Sequence, residues 1–474
     1  MNPETLVSVI IVNYNGREHL DLCLSSLMEL TFPKEQLEII LVDNESTDGS
    51  VDFVKSRFPN VVLIQSETNL GFSKAANLGA ASASGEYLAF LNNDMRFDRN
   101  WLRLLIETAR AGNGFACVGS TTLTWDGTGV DFNGRPDDAF ALSYSPSDNS
   151  ALPGLASGSP AYALFVSGGA ALIKRSVFQA LGGFDPDFFL YHEDVDLGWR
   201  LWLLGYECVL LEGPVVYHRG GASSSKLPPE LIQTWSEKHT LFSVFKNLEA
   251  ENLREILPLL FFFFLERERW IPAARESSTR AIREFQSSVN SLIAKRSEVQ
   301  ETRVRSDADI FAQLGHPFNF LLGGRFHESL RRELADASSD VAFDPNDPKS
   351  VQNAITEWLD RAHAVFEARL KRELAEKTAE LAEKMAELVD KMAELAVKTA
   401  ELEEKKDALR SLSVQVAEVK HQLWVKDHEL NLIVNSRSWR LVMRYARVKH
   451  RLLKLFSSAS SSLGTNAAPR DRQR

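Results

Sequence analysis

The sequence predicts an α/β domain with a parallel-rich sheet, followed by a helical extension and a C-terminal coiled coil. Short apolar runs, rich in β-branched residues, alternate with helical stretches over residues 6–91. Strands that alternate with helices form parallel sheets with right-handed crossovers. Further along, leucines recur every seven residues from Leu374 to Leu409, which marks the d position of a heptad repeat. These patterns divide the chain into four parts: residues 1–250, 251–350, 351–435 and 436–474.

The elements of the α/β domain are predicted from apolar runs that end in polar turn residues and from stretches with one apolar helical face. Strands are expected at residues 6–13, 37–42, 61–65, 87–91, 115–121 and 215–217, and a short apolar run follows a small-residue turn at residues 171–173. Helices are expected at residues 18–30, 51–58, 73–84, 100–111, 197–204 and 231–248. Residues 125–159 are rich in Gly, Pro, Ser and Asp and predict a long loop, which either shapes a binding site or is a surface loop.

The composition argues against several classes of protein. The 474 residues carry a formal net charge of −10, which argues against a general nucleic-acid binder. The three cysteines show no metal-binding or disulfide spacing, which fits a reducing cytosol. The N-terminus lacks the basic region of a signal peptide. The apolar run over residues 256–265 is too short to span a bilayer, so we expect either a buried or an interfacial helix.

Polar residues follow three of the predicted strands where each strand ends. Asn13 and Asn15 follow the first strand, Asp43 the second and Asp94 the fourth. In parallel sheets ligands bind at the carboxyl ends of the strands, so these side chains are expected to face one crevice that takes a nucleotide. The alternative is that Asp and Asn at these places only form turns.

Three carboxylates stand close together at the start of the predicted helix 197–204. They belong to Glu193, Asp194 and Asp196. Such groups repel one another and burial favours the neutral form, so at least one raised pKa is expected, which suits a general base. The alternative is an ordinary acidic helix N-terminus.

A family resemblance covers residues 5–245. It is carried by the segments SGGA at 167–170, GFD at 183–185, HEDVD at 192–196, WR at 199–200 and YH at 217–218. This pattern resembles the catalytic half of family 2 glycosyltransferases and is most similar to bacterial rhamnosyltransferase-like members. The resemblance implies a GT-A type nucleotide-sugar-binding domain that transfers a sugar, with inversion, from a nucleoside diphosphate to a hydroxyl group.

The resemblance also implies roles for single residues. Asp194 would be the catalytic base, with Glu193 as the second candidate, and Trp199 and Arg200 would bind the acceptor. Nucleotide-sugar binding would fall to residues at the strand ends, in segment 69–80 and in the glycine turn, namely Asn13, Asn15, Asp43, Asn69, Lys74, Asn77, Asn93, Gly168 and Gly169.

A divalent metal, Mg²⁺ or Mn²⁺, is implied in the same way. The segment Asn92-Asn93-Asp94 stands in the place of the family's acidic DXD motif, but only its last residue is acidic. Asp94 would therefore bind the metal, and His218 would supply a further ligand that favours Mn²⁺. The alternative for His218 is a packed histidine without a ligand role.

The resemblance favours rhamnose or a similar hexose as the sugar, and a surface polysaccharide or lipid-linked glycan as the acceptor. The amides at Asn92 and Asn93 support a rival hypothesis, a non-catalytic transferase-like scaffold that the coiled coil oligomerises. Another enzyme class, sugar nucleotidyltransfer, would need a glycine-rich phosphate loop near the first strand, and the sequence shows none there.

The C-terminal parts predict interactions rather than chemistry. The heptads predict a homo-oligomer, with a lone charged helix as the alternative. Residues 436–456 form a basic amphipathic pattern that suits an anionic membrane surface, unless this helix packs on its own protein or continues the coil. We therefore expect a cytoplasmic protein, held peripherally on the inner face of the cytoplasmic membrane.

Overall fold

The computed structural model describes residues 6–112, 114–132, 160–220, 227–270, 276–315, 340–400 and 406–435. Within these ranges the strands are β1 (Val7–Asn13), β2 (Leu37–Asn44), β3 (Val62–Ser66), β4 (Tyr87–Asn92), β5 (Met95–Phe97), β6 (Phe115–Thr124), β7 (Val130–Phe132), β8 (Ala161–Tyr162), β9 (Ala170–Lys174) and β10 (Glu207–His218). The helices of the first half are α1 (Arg17–Met28), α2 (Ser50–Arg57), α3 (Gly71–Ser82), α4 (Trp101–Ala111), α5 (Arg175–Ala180) and α6 (Glu193–Leu203), with a 3₁₀ turn at Lys34–Gln36. The later helices are α7 (Pro229–Asn247), α8 (Ala250–Trp270), α9 (Ser277–Glu301), α10 (Asp307–Gln313), α11 (Pro348–Ala400) and α12 (Lys406–Asn435).

One mixed sheet joins these strands in the order β3-β2-β1-β4-β9-β6-β10-β5, with β7 beside β6 and β8 beside β10. Strand β1 pairs in parallel with β2 and β4, and β2 with β3, which confirms the predicted alternation of strands and helices. The second half of the sheet is mixed, because β9 runs antiparallel to both β4 and β6. The predicted α/β fold is therefore confirmed, with a sheet that is parallel over β1 to β4 and mixed beyond.

The register of the parallel strands sets the position of the strand-end residues. Asn13 lies opposite Asp43 on β2, and Val12 lies opposite Asn92 on β4. Since all three strands run in the same direction, the residues that end them collect at one edge of the sheet.

Helices cover both faces of the sheet. On one face, Ile11 of β1 is buried in a core that includes Leu24 of α1 and Trp101 of α4. On the other face α3 lies so close that a Cβ on Gly79 would stand 2.6 Å from Ile10. The sheet is therefore buried on both sides, which explains why its central strands are continuous apolar runs.

Helices α7 to α10 belong to the same compact unit as the sheet, which comprises residues 1–357. The run 256–265 is buried within α8, so of the two sequence-based expectations the buried helix is the one observed. The predicted boundary between residues 250 and 251 falls inside this unit. Within the described ranges, no helix combines the length and apolar character needed to cross a membrane.

The second unit comprises residues 358–474. Its predicted helical character is confirmed by the C-terminal part of α11 and by α12. Between residues 375 and 395, the a and d positions of the heptads are half-buried and all the others are exposed. The self-association of this helix remains a prediction. The basic tail over residues 436–474 lies outside the described residues.

Candidate active site

Asn13 connects the carboxyl ends of three neighbouring strands. Its amide nitrogen donates to Asp43 Oδ1 (3.0 Å) and to Ser46 Oγ (3.1 Å), while its amide oxygen accepts from Asn93 Nδ2 (2.7 Å). Asn13, Asp43 and Asn93 are all buried. A Cβ on Gly16 would collide with Asn93, so a glycine is required where the chain leaves β1. The structure therefore joins Asn13, Asp43 and Asn93 in one buried hydrogen-bond network at the ends of the strands.

The loop after β2 is tied to the loop after β1. Asn15, with a left-handed φ of 49°, accepts from the Thr47 backbone N–H (2.8 Å) and donates its own N–H to Ser46 Oγ (2.9 Å). Asp43 accepts from the Ser46 N–H at 3.0 Å. Asn15 and Asp43 thus hold these two loops in place, and Tyr14 beside them is 39 % exposed.

Segment 69–80 has three predicted ligand-binding residues with different surroundings. Asn69 accepts from the Gly71 N–H (3.0 Å) and from Asn44 Nδ2 (2.9 Å), which fixes the start of α3. The side-chain amide of Asn77 donates to the Phe184 carbonyl oxygen (2.8 Å) and accepts from the Phe184 N–H (3.0 Å). Lys74 is exposed on the first turn of α3. The side chains of Asn69 and Asn77 are therefore half-buried and hydrogen-bonded within the protein, whereas that of Lys74 is exposed.

Asp94 and His218 meet directly after β4 and at the end of β10. His218 Nε2 lies 3.3 Å from Asp94 Oδ1, and His218 Nδ1 lies 2.8 Å from Asp131 Oδ2. Burial lowers the pKa of His218, but hydrogen bonds to Asp131 and Asp94 outweigh it and raise that pKa to about 9. Burial would raise the pKa of Asp94, yet His218 holds it below its ordinary value.

This pair fits a divalent cation by the chemistry of its donors, a carboxylate oxygen and an imidazole nitrogen that face one another. Within the described ranges, no group of three or more His, Cys, Asp and Glu side chains is arranged to hold a metal. Asp94 and His218 would therefore supply part of a coordination shell, and the remaining ligands would come from a bound ligand and water.

The predicted glycine turn links this pair to the carboxylates of α6. The Gly169 carbonyl accepts from the Asn92 N–H at 3.1 Å, and the Gly168 N–H donates to Asp194 Oδ2 at 2.9 Å. A Cβ on Gly169 would stand 2.5 Å from the Asn92 side chain. The close approach of β4, the turn and α6 thus requires glycine at this position.

Glu193 and Asp194 have different environments although they are neighbours. Asp194 is half-buried and accepts from the Gly168 and Val195 N–H groups, at 2.9 and 2.8 Å. Glu193 is buried, and burial, followed by the charge of Asp194, raises its pKa to about 8. At neutral pH Asp194 is therefore the carboxylate that can face a substrate, and Glu193 is mostly protonated.

Two family models match the part of the chain that carries this site. The model of glycosyl transferase family 2 matches residues 8–182, and that of glycosyl transferase family group 2 matches residues 154–238. The N-terminal domain is a family 2 glycosyltransferase. An N-acetylglucosaminyl-diphospho-decaprenol L-rhamnosyltransferase of Mycobacterium tuberculosis is 27% identical over 257 residues, which cover 47% of this chain and 79% of that protein. A poly(ribitol-phosphate) beta-glucosyltransferase of Bacillus spizizenii is 40% identical over 92 residues, which cover 19% and 14% of the two chains.

Two solved structures resemble this chain at low sequence identity. That of GalNAc-T7 with UDP, GalNAc and Mn²⁺ is 17% identical with a TM-score of 0.47, covering 66% of this chain and 57% of that one. That of Staphylococcus aureus TarS 1–349 with UDP is 15% identical with a TM-score of 0.42, covering 77% and 92%.

The glycosyltransferase domain does not present Trp199 and Arg200 to an acceptor, and this prediction is corrected. Trp199 is fully buried and packs edge-on against Phe311 of α10, with ring centroids 6.2 Å apart. Arg200 is buried, donates to Asp196 Oδ2 (2.9 Å) and also binds the carbonyl oxygens of Leu181 and Gly183. Both residues thus hold α6 against neighbouring segments, Trp199 against α10 and Arg200 against residues 181–183.

Several residues of the glycosyltransferase site were not predicted. Tyr191 and His192, directly before Glu193, both have left-handed φ values, 70° and 65°. From α7, His239 Nδ1 donates to the carbonyl oxygens of Leu190 (3.0 Å) and Tyr191 (2.9 Å). His192 Nε2 contacts Ser236 and Thr240 hydroxyls at 3.2 and 3.3 Å.

Burial lowers the pKa of His192 to about 4 and that of His239 to about 3, so both are neutral at physiological pH. A left-handed turn at non-glycine residues has no reliable sequence signal. The histidines themselves, at residues 192 and 239, were the only available indication of these contacts.

Proposed function

We propose that this glycosyltransferase moves rhamnose or a similar hexose from a nucleoside diphosphate to a hydroxyl of a surface polysaccharide or lipid-linked glycan. One observation supports it most strongly. A backbone hydrogen bond joins β4, which ends two residues before Asp94, to the glycine turn, and the Gly168 N–H of that turn donates to the Asp194 carboxylate. Asp94, the candidate metal ligand, and Asp194, the candidate base, therefore lie on segments that are joined through the same glycine turn. The choice of rhamnose is supported by the name of the Mycobacterium tuberculosis relative.

In the proposed reaction Asp194 takes the proton from the acceptor hydroxyl as its oxygen attacks the sugar. The bond from the sugar to the diphosphate breaks on the opposite face, so the configuration inverts. Two backbone N–H groups, those of Gly168 and Val195, fix the orientation of the Asp194 carboxylate. Glu193, mostly protonated at neutral pH, is less suited to accept a proton there. Asn13, Asp43 and the loops that they hold would form the nucleotide side of the site.

Asp94 and His218 would hold a Mg²⁺ or Mn²⁺ ion. When bound, the cation would offset the negative charge that develops on the leaving diphosphate. The carboxylate and the imidazole then act by binding and orienting the donor. Lys74, exposed at the start of α3, is a further candidate for contact with the donor phosphates.

The base assignment is tested with Asp194→Asn. Removal of a general base typically lowers the rate about 10²-fold or more, whereas donor affinity should stay the same, since the side chain does not contact the nucleotide in this proposal. Turnover is measured with a panel of nucleotide sugars and Mn²⁺, and donor affinity by calorimetry. Glu193→Gln is the matched control, because it removes a neighbouring carboxyl group. Transfer by Asp194→Asn at a rate near wild type would contradict the assignment.

The rival function is a non-catalytic scaffold, and the amides at Asn92 and Asn93 favour it. Asn93 is committed to a hydrogen bond with Asn13, which gives its amide a structural reason. The same panel separates the two functions. A scaffold gives no turnover with any donor, whereas the enzyme gives metal-dependent turnover with at least one.

We also propose that the heptad helix self-associates through the half-buried seam between residues 375 and 395. The full chain should sediment as an oligomer. A variant with charged residues at Leu381 and Leu388 should be smaller, while the same changes at the exposed Val389 should have no effect. An oligomer that persists in the Leu381 and Leu388 variant would contradict the seam. Membrane binding by the basic tail stays a prediction, which co-sedimentation with anionic liposomes checks.

A further inference from the structure

The histidine that faces Asp94 is held from its other side. His218 Nδ1 and Asp131 Oδ2 are 2.8 Å apart, while His218 Nε2 points at Asp94. The His218 and Asp131 side chains are 16% and 31% exposed, so solvent reaches this hydrogen bond only partly. Asp131 lies outside the segments that carry the family resemblance.

A tight hairpin brings Asp131 to this position. Strand β6 pairs with β10 on one side and with β7, which carries Asp131, on the other. The turn between β6 and β7 is closed by the Thr124 N–H bond to the Gly129 carbonyl (2.9 Å) and uses Gly127 at a φ of 72°. Asp131 lies between Val130 and Phe132, which pair with Leu123 and Thr122 of β6 around a register shift, so the hairpin fixes its backbone.

The partner of one imidazole nitrogen determines what the other can do. A carboxylate accepts only from an N–H, so when a cation takes the lone pair of His218 Nε2, the remaining ring proton stays on Nδ1 and faces Asp131. Carboxylates placed in this way behind metal-binding histidines fix the ring orientation and make the free nitrogen a better donor.

We propose that Asp131 is a positioning residue, which orients His218 to bind a divalent cation together with Asp94. This inference rests on the proposed metal role of Asp94 and His218. Asp131 itself contacts neither the cation nor the substrate in this arrangement. Its contribution is therefore to metal affinity and, through it, to the metal concentration that transfer requires.

The test measures Mn²⁺ binding to the full chain by the loss of the free-ion signal in electron paramagnetic resonance. Asp131→Ala should weaken Mn²⁺ binding about 10- to 100-fold, the usual cost of losing such a partner. Asp131→Asn keeps an oxygen that accepts from Nδ1–H, so it should retain most of the affinity. Excess Mn²⁺ should restore transfer by Asp131→Ala.

Asp126→Asn is the matched control. It removes one negative charge from the same hairpin, and its oxygen can still accept from the Thr124 hydroxyl and the Thr128 N–H. Equal affinity of Asp131→Ala, Asp126→Asn and wild type would overturn the inference and leave the metal role intact. An equal loss in Asp131→Asn and Asp126→Asn would reduce the effect to charge and would also overturn it. If wild type binds no Mn²⁺, the metal role and this inference both fail.

Discussion

Lys246 of α7 is a cation with almost no exposure to solvent. Its side chain is 2% exposed, and its ammonium group pairs with Asp185 and, at 2.8 Å, with the fully buried Asp196. Burial opposes ionisation of Asp185, but Lys246 and Lys295 hold the pKa of that carboxyl well below its ordinary value. Helices α7 and α9 therefore neutralise the carboxylates beside the candidate active site.

Replacing Lys246 by methionine keeps most of the side-chain volume but removes one positive charge from beside Asp185 and Asp196. Removing one partner of a buried ion pair costs about 3–5 kcal/mol. The lower value applies here, because Arg200 still pairs with Asp196 at 2.9 Å and Lys295 still pairs with Asp185. At about 2.1 cal/mol/K per residue, the 357 residues of the unit give an unfolding entropy of about 0.75 kcal/mol/K. A loss of about 3 kcal/mol should then lower Tm by about 4 °C.

Differential scanning calorimetry measures this shift, and Lys295→Met is the matched control. Lys295 also pairs with Asp185 but is 26% exposed, so water can replace it and we expect a loss of no more than about 1 kcal/mol. Equal shifts for the two variants, or a shift below 1 °C for Lys246→Met, would refute the argument that α7 neutralises a buried cluster.

Two further predictions concern the site. Because the pKa of Glu193 is raised from 4.5 to about 8, the stability that its neutral form contributes is full below pH 4.5, where the unfolded state is also protonated, and is lost as the pH rises through 8. The Tm of wild type should therefore fall relative to that of Glu193→Gln between pH 6 and 9, and a constant difference would contradict the raised pKa. Asp94→Ala should abolish metal-dependent binding of a nucleoside diphosphate, measured by calorimetry with and without Mn²⁺, and unchanged binding would reject the metal role.

The central strands could be predicted within two or three residues because buried parallel strands are continuous apolar runs. Strand β10 shows where this reasoning fails. Only residues 215–217 were predicted, because Gly213 and Pro214 interrupt the pattern and proline argues against a strand interior. The structure accommodates them at a register shift between Leu211 and Val216.

The site shows the same division between local pattern and tertiary contact. Asn13 and Asp43 could be predicted because strand order alone determines where parallel strands end. Trp199 and Arg200 were misplaced because their partners come from distant segments, including Phe311 in α10 and the carbonyl oxygens of Leu181 and Gly183. No periodicity in the sequence reports such contacts.

The turn before α6 explains why the helices beyond the sheet belong to the catalytic unit. Left-handed backbone at a non-glycine residue costs about 1–3 kcal/mol and persists only where the surroundings enforce it, and here Tyr191 and His192 adopt it in succession. The enforcing groups come from α7, where neutral His239 binds two carbonyl oxygens of the turn. Since Asp194 follows this turn by two residues, α7 sets the direction in which the candidate base enters the site. A catalytic domain cut before Pro229 would lose that constraint although every residue proposed to contact substrate or metal would remain.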